Sequence, residues 1–267
     1  RKNKINILDT PGFDDFVGEV IASLKVADTA LILVNASAGV EVGTELVWEY
    51  VEDYKTPSIF VINQMDHQKA DYDAALEQLK NRFGSKVIPI QYPLNSGESF
   101  NQIVDALRMV MYEFPATGGK PEKKPIPESE MARANEMHNA LVEIAAENEE
   151  GLMEKYFEEG NLSEEELAQG LNIALAKHDF FPVFVASGLK DMGSGRIMGF
   201  IDDIAPSPAD RAGEKLENGE LLKCDSNDKT TLFIYKTQSE PQVGIVSYFK
   251  VYSGELKPGD ELVNAEN

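Results

Sequence analysis

In the first ninety residues short apolar runs alternate with segments of helical period, and that alternation restricts the chain to few architectures. The run Ala30-Leu31-Ile32-Leu33-Val34 is continuous and apolar, which predicts a strand buried on both faces, as in parallel sheets. Gly43 to Tyr54 follows as a helix, with Leu46, Val47, Tyr50 and Val51 on one side. Trp48 lies in it and reads as a packing residue. Pro57 to Ile62 is the next strand and runs into Asn63-Gln64-Met65-Asp66. A helix over residues 70–83 carries Leu76 and Leu79, and Lys86 to Ile90 is strand-like again. Upstream, Ile5 to Leu8 reads as a strand ending at Asp9. The turn Thr10-Pro11-Gly12 and a helix bearing Phe16, Val20 and Leu24 come after it. Strands alternating with helices predict an α/β fold built on a doubly wound parallel sheet.

The rhythm changes near Gln91. Residues 100–114 read two ways: Phe100, Ile103, Val104 and Leu107 fit a helical face, while Leu107, Met109 and Met111 alternate like a strand. Thr117 to Glu128 reads as a loop. Glu128 to Glu159 reads as a long acidic helix with the stripe Met131, Ala134, Met137, Leu141 and Ile144 facing the core. Ser163-Glu164-Glu165-Glu166 is a capping box that opens a further helix. Phe181 to Val185 is strand-like and ends in Ala186-Ser187-Gly188. Gly193 and Gly195 begin a helix that Pro206 and Pro208 stop. Asp210 to Leu221 reads as a linker, and the remainder as short strands and turns, the start of an all-β module.

A net charge of −21 argues against non-specific nucleic-acid binding, which needs Lys and Arg, and leaves room for a basic protein partner. Cys224 is the single cysteine, so no disulfide can form within the chain, and a reducing compartment is expected. No apolar run reaches the ~18 residues that a membrane-spanning helix needs. No DNA or membrane partner is therefore expected. The chain begins at Arg1 inside a strand-leading segment, which reads as a piece of a longer protein.

Three strand ends carry polar or small residues: Asp9-Thr10-Pro11-Gly12, Asn63-Gln64-Met65-Asp66 and Ala186-Ser187-Gly188. In an open α/β sheet, ligands bind at the carboxyl ends of the strands. Asp9 is placed to hold Mg²⁺ through water, and the Gly12 N–H to meet a terminal phosphate oxygen. A carboxylate at Asp66 accepts two parallel hydrogen bonds, which matches the adjacent N1 and N2 donors of guanine and not adenine. Asn63 anchors that loop or touches N7, the Gln64 stem covers a face of the base, and the Gly188 N–H, after Ser187, points at O6. Any one of these residues is equally well a loop polar group satisfied by its own backbone. The three motifs in this order are the signal.

The run Asp9-Thr10-Pro11-Gly12-Phe13-Asp14-Asp15-Phe16, with Glu19-Val20 and Asn63 to Asp66, resembles the GTP-binding domain of translational GTPases, with bacterial elongation factor G the best match. Pro182-Val183 through Ala186-Ser187-Gly188-Leu189-Lys190 resembles the third guanine motif of that family. Tyr252 to Gly259 resembles a turn of its second-domain barrel. The resemblance implies a P-loop GTPase fold over residues 1–205, an inserted α+β subdomain at about 87–180, a linker at 206–220, and part of a β-barrel at 221–267. It implies strands within residues 100–114. It also implies GTP or GDP with Mg²⁺ as ligands, the ribosome and its large-subunit stalk proteins as partners, a cytoplasmic location, and a monomer.

Three departures from the family qualify that expectation. No G-x-x-x-x-G-K-[ST] is present, so the 267 residues by themselves are expected to bind GTP weakly or not at all. Phe13 stands where the family has the His that orients the attacking water, which predicts slow hydrolysis. Gln64 replaces the family's Lys, which predicts weaker guanine binding with specificity kept by Asp66. The alternatives are a ribosome-protection or release-type GTPase, and a non-catalytic ribosome-binding module with a decayed nucleotide site.

Overall fold

A computed structural model describes residues 3–211 and 213–264. The first two residues of the expected GTP-binding domain, one residue of the expected linker and the last three of the expected β module therefore lie outside the described residues. Among those described, the first strand is β1 (Ala30–Asn35), preceded by α1 (Val17–Val26) and followed by α2 (Val42–Tyr54). Then come β2 (Ser58–Asn63), α3 (Tyr72–Phe83) and β3 (Val87–Pro89). The next segment holds β4 (Gln91–Pro93), β5 (Gln102–Asp105), β6 (Val110–Glu113) and β7 (Glu122–Lys124), then α4 (Met131–Glu147), α5 (Glu150–Glu159) and α6 (Glu164–Ala176). β8 (Phe181–Val185) and α7 (Ser194–Asp203) complete the α/β body. Four strands follow: β9 (Glu214–Lys215), β10 (Leu221–Leu222), β11 (Thr231–Glu240) and β12 (Gly244–Ser253).

The central sheet is parallel, with strand order β1-β2-β8-β3. Its strands alternate between two cores. Phe60 and Ile62 of β2, with Val183 and Val185 of β8, pack on one side with Leu79 and Val51. Ile59, Val61 and Phe184 pack on the other with Leu141, Leu171 and Phe200. Helices thus cover both faces, as the doubly wound reading expected. Trp48 stacks on Phe60 with ring centroids 5.3 Å apart and meets Phe181 edge-on at 4.9 Å, the packing role expected of it.

Residues 90–180 form a second layer: the antiparallel sheet β4-β5-β6-β7 and the helices α4 to α6. Residues 100–114 hold two strands, β5 and β6, as the resemblance implied. Met109, at φ 49°, makes the turn that interrupts the helical reading. β3 pairs with β8 in register Val87↔Phe181, so it belongs to the parallel sheet. Ser163 and Glu166 make both bonds of the expected capping box.

Several expectations fail. Ile5 to Leu8 form no strand, and Ile7 and Leu8 are exposed. A strand needs a neighbour to satisfy its backbone, and among the described residues this segment has none. β1 is half-covered rather than buried on both faces. Ala30, Ile32 and Val34 are buried, while Leu31 and Leu33 are exposed, because α7 packs over β2 and β8 and does not reach the edge. The long acidic helix is two helices, broken at Asn148 and Glu149, and Met131 of the stripe is exposed. β7 lies within the expected loop and pairs with β6. β9 lies within the expected linker and pairs with β10, at the start of the expected β module.

Candidate functional site

The parallel register sets which strand ends meet. Asn35 is opposite Asn63, and Ile62 is opposite Val185, so the carboxyl ends of β1, β2 and β8 lie side by side. The loops leaving β2 and β8 are joined twice. The Met65 N–H donates to the Ala186 carbonyl at 3.2 Å, and the Gly188 N–H donates to Asn63 Oδ1 at 2.9 Å. Asn63 is thus the anchor the sequence suggested, fixed to the opposite loop. The Gly188 amide, expected to face O6, is engaged by Asn63 instead.

Gln64 has φ 62°, in the left-handed region that a non-glycine residue occupies at a cost of about 1 kcal/mol or more. Its Oε1 accepts from Asn35 Nδ2 at 3.0 Å, so the end of the side chain is held over the tip of β1. Met65 is fully buried beneath the loop. Asp66 is half-buried, and among the described residues no group donates to its carboxylate. A carboxylate in that state keeps its acceptor sites for a ligand that brings two donors. His67 is exposed, and its Nδ1 accepts from the Lys69 N–H at 3.2 Å, a local turn contact.

Ser187 is wholly buried. Its N–H and carbonyl both pair with Met192, at 2.9 and 3.0 Å, and its Oγ accepts from the Lys190 N–H at 3.2 Å. Its hydrogen bonds close the loop and present Gly188 at the surface. Asp191, with φ 48°, is a second left-handed residue, so each of the two loops contains one.

The phosphate half is not assembled. Asp9, Pro11 and Gly12 are exposed, Thr10 is half-buried, and the segment pairs with no strand. Phe13 is 78% exposed. No three His, Cys, Asp or Glu side chains converge on a possible metal position among the described residues. A guanine base fits the residues present, through the free Asp66 carboxylate on one of two mutually anchored loops. The Asp9 carboxylate and the Gly12 amide have the chemistry that Mg²⁺ and a terminal phosphate take, and both are exposed.

Sequence reasoning missed Asn35, which occupies the third strand end in place of Asp9. Its signal was its place at the end of an apolar run, followed by the turn Ala36-Ser37-Ala38-Gly39. Asn35 Oδ1 also accepts from the Ser37 N–H and hydroxyl, both at 2.8 Å, which shapes that turn.

Residues 1–207 match the sequence profile of the elongation factor Tu GTP binding domain. The structure is also similar to the crystal structure of ttk003000868 from Thermus thermophilus, with TM-score 0.80 and 32% sequence identity. The similarity covers 94% of this chain and 36% of that one, so the chain spans about a third of the length of the structure it matches.

Proposed function

The chain belongs to the elongation factor Tu GTP binding domain family, and from that premise we propose that it is the guanine-nucleotide domain and adjoining segment of a ribosome-associated translational GTPase of the elongation factor G type. In this reading residues 1–205 are the GTP-binding domain, 206–220 a linker and 221–267 part of a second, barrel-like domain. The observation that carries it is the donor-free carboxylate of Asp66, on the loop that Asn63 ties to Gly188 at 2.9 Å. The size of the segment between the second and third guanine motifs supports the elongation factor G type over release-type relatives. Asn63, Gln64, Asp66, Ser187 and Gly188 form the base side of the site. Asp9, Thr10, Pro11 and Gly12 sense the terminal phosphate, with Asp9 holding Mg²⁺ through water, when the phosphate side is complete. The partners are the ribosome and its stalk proteins, and the protein acts as a cytoplasmic monomer.

Hydrolysis is slow, because the Phe13 ring has no polar atom with which to orient water. The test is ribosome-stimulated GTP turnover by a longer natural protein containing these residues, with and without Phe13→His. An aligned general base contributes on the order of a hundredfold, so a gain of that size is expected. No gain contradicts the assigned role of position 13. Exposed Phe13 and the unpaired segment before it favour a second reading, a non-catalytic ribosome-binding module, and ribosome binding without any nucleotide dependence would select it.

A further inference from the structure

The two loops that carry the base side are each fastened to the inserted subdomain, both of them through residues 97–98 and the second also through residues 118–119. From the loop between β4 and β5, the Gly97 N–H donates to the Met65 carbonyl at 2.8 Å. Gln68 Nε2 donates to the Glu98 carboxylate at 2.7 Å, and Lys190 Nζ donates to the Glu98 carbonyl at 2.8 Å. Glu98 therefore stands between the two loops, its side chain on one and its backbone on the other. From the loop between β6 and β7, the Gly119 N–H donates to the Asp191 carbonyl at 3.1 Å. Gly118 has φ 76°, and a Cβ there would lie 1.6 Å from the Lys190 carbonyl oxygen, so only glycine permits this approach. The two pieces belong to one hairpin end, joined where the Phe114 N–H donates to the Asn101 carbonyl at 2.8 Å.

We propose that Glu98, Gly118 and Lys190 are positioning residues for base selection: residues 97–98 and 118–119 of the inserted subdomain clamp loops 63–68 and 186–191 into one unit. The inference rests on the guanine reading of those loops. A hydrogen-bonding site rejects the wrong base only while its polar groups are held within a fraction of an ångström of the right one. Strained conformations such as those of Gln64 and Asp191 persist only where the surroundings over-determine them. The clamp supplies that determination. The Asn63–Gly188 and Met65–Ala186 bonds join the loops to each other but to nothing outside the sheet edge.

The test measures amide hydrogen exchange in residues 63–68 and 186–191, and the preference for GTP over ITP, whose base lacks the N2 amino group. It uses the longest natural protein that contains this chain. Lys190→Ala removes the bond to Glu98, and Lys190→Arg retains a donor. Gly118→Ala drives a methyl group into the Lys190 carbonyl. Lys190→Ala and Gly118→Ala are expected to speed exchange in both loops and to lower the GTP-over-ITP preference about tenfold, with the triphosphate-over-diphosphate preference unchanged. Lys190→Arg is expected to stay near wild type. Exchange that rises only in residues 186–191, or in both loops with base preference intact, overturns the proposal. A wild-type protein that does not distinguish guanine from hypoxanthine overturns the guanine reading instead, and the exchange measurement then decides the clamp by itself. A Gly118→Ala chain that fails to fold leaves Lys190→Ala to decide.

Discussion

Arg196 Nε lies 2.8 Å from Asp105 Oδ2, an ion pair in which the carboxylate is wholly buried and which bolts the β4–β7 sheet to α7. Asp105 also accepts from Gln91 Nε2 at 2.9 Å and from the Arg108 N–H at 2.9 Å, so its acceptor sites are well filled. The Arg196 guanidinium rests over the Tyr112 ring, 5.8 Å from its centroid. Burial works to lower the Arg196 pKa and the Asp105 carboxylate to raise it, and the net shift is upward. Removing one partner of such a pair leaves the other charge buried and alone, a loss of about 3–5 kcal/mol. Asp105→Ala is expected to destabilise the chain by that amount in urea unfolding. A change below about 1 kcal/mol contradicts the bolt.

His178 gives the fold an acid-sensitive point. It is 6% exposed, its Nδ1 has no hydrogen-bond partner, and its Nε2 lies 3.3 Å from Glu52. Trp48 and Phe181 pack against the ring, and Lys55 and Lys86 lie near it. Burial lowers its pKa below the ordinary 6.5, more than Glu52 raises it. The unfolded chain thus binds the proton more readily than the folded one. The stability tied to His178 is complete above pH 6.5 and is lost as the pH falls through the lowered folded value. Glu52, whose pKa is also lowered, adds a further loss as the pH drops below 4.5. Urea midpoints are expected to fall between about pH 7.5 and about pH 5.5. His178→Asn, which tolerates the native φ of 63°, is expected to flatten that slope. An unchanged slope contradicts the assignment.

The Ser163 cap is a local test of the insertion. Ser163 Oγ accepts from the Glu166 N–H at 3.3 Å, and Glu166 Oε2 accepts from the Ser163 N–H at 2.9 Å. The Glu166 pKa is held at about 2 by its bond to Lys155 and then by the Ser163 donors. Ser163→Ala is expected to cost ~1 kcal/mol in thermal unfolding. No loss indicates that α6 is held wholly by its buried face of Leu167, Leu171 and Leu175.

Leu33 is 59% exposed and Leu31 45% exposed on the outermost strand of the sheet. An open edge with apolar side chains invites pairing with another chain. The 267-residue chain is expected to associate as its concentration rises, and Leu33→Lys to suppress that in sedimentation. Equal behaviour of the two contradicts a role for this edge.

Much of the α/β body was legible because its signals are local. The apolar stretch Ile59 to Ile62 needs burial on two faces, and Ser163 to Glu166 is a cap that four residues specify. The misses share one cause, which is dependence on a distant partner. Ile5 to Leu8 has the composition of a strand, but pattern carries no information about whether a neighbour exists to pair with. Glu122-Lys123-Lys124 reads as a charged loop, yet charge is what an edge strand such as β7 carries. On the site, Asn63 and Asp66 could be read from residue types, whereas Asn35 enters only through the register Asn35↔Asn63. Gly118 and Gly119 lie in a stretch that reads only as a loop. Their contact with Lys190 and Asp191 joins residues some seventy positions apart, which no local pattern contains.

The central claim is that Asp66 reads guanine through the N1 and N2 donors. It is tested most directly by nucleotide competition on the longest natural protein that contains this chain, before and after Asp66→Asn. An asparagine presents one acceptor and one donor in place of two acceptors, which matches xanthine and mismatches guanine. The account predicts loss of GTP preference over XTP by tenfold or more, about 1.4 kcal/mol, with the order reversed in favour of XTP. Unchanged preference for GTP would contradict it.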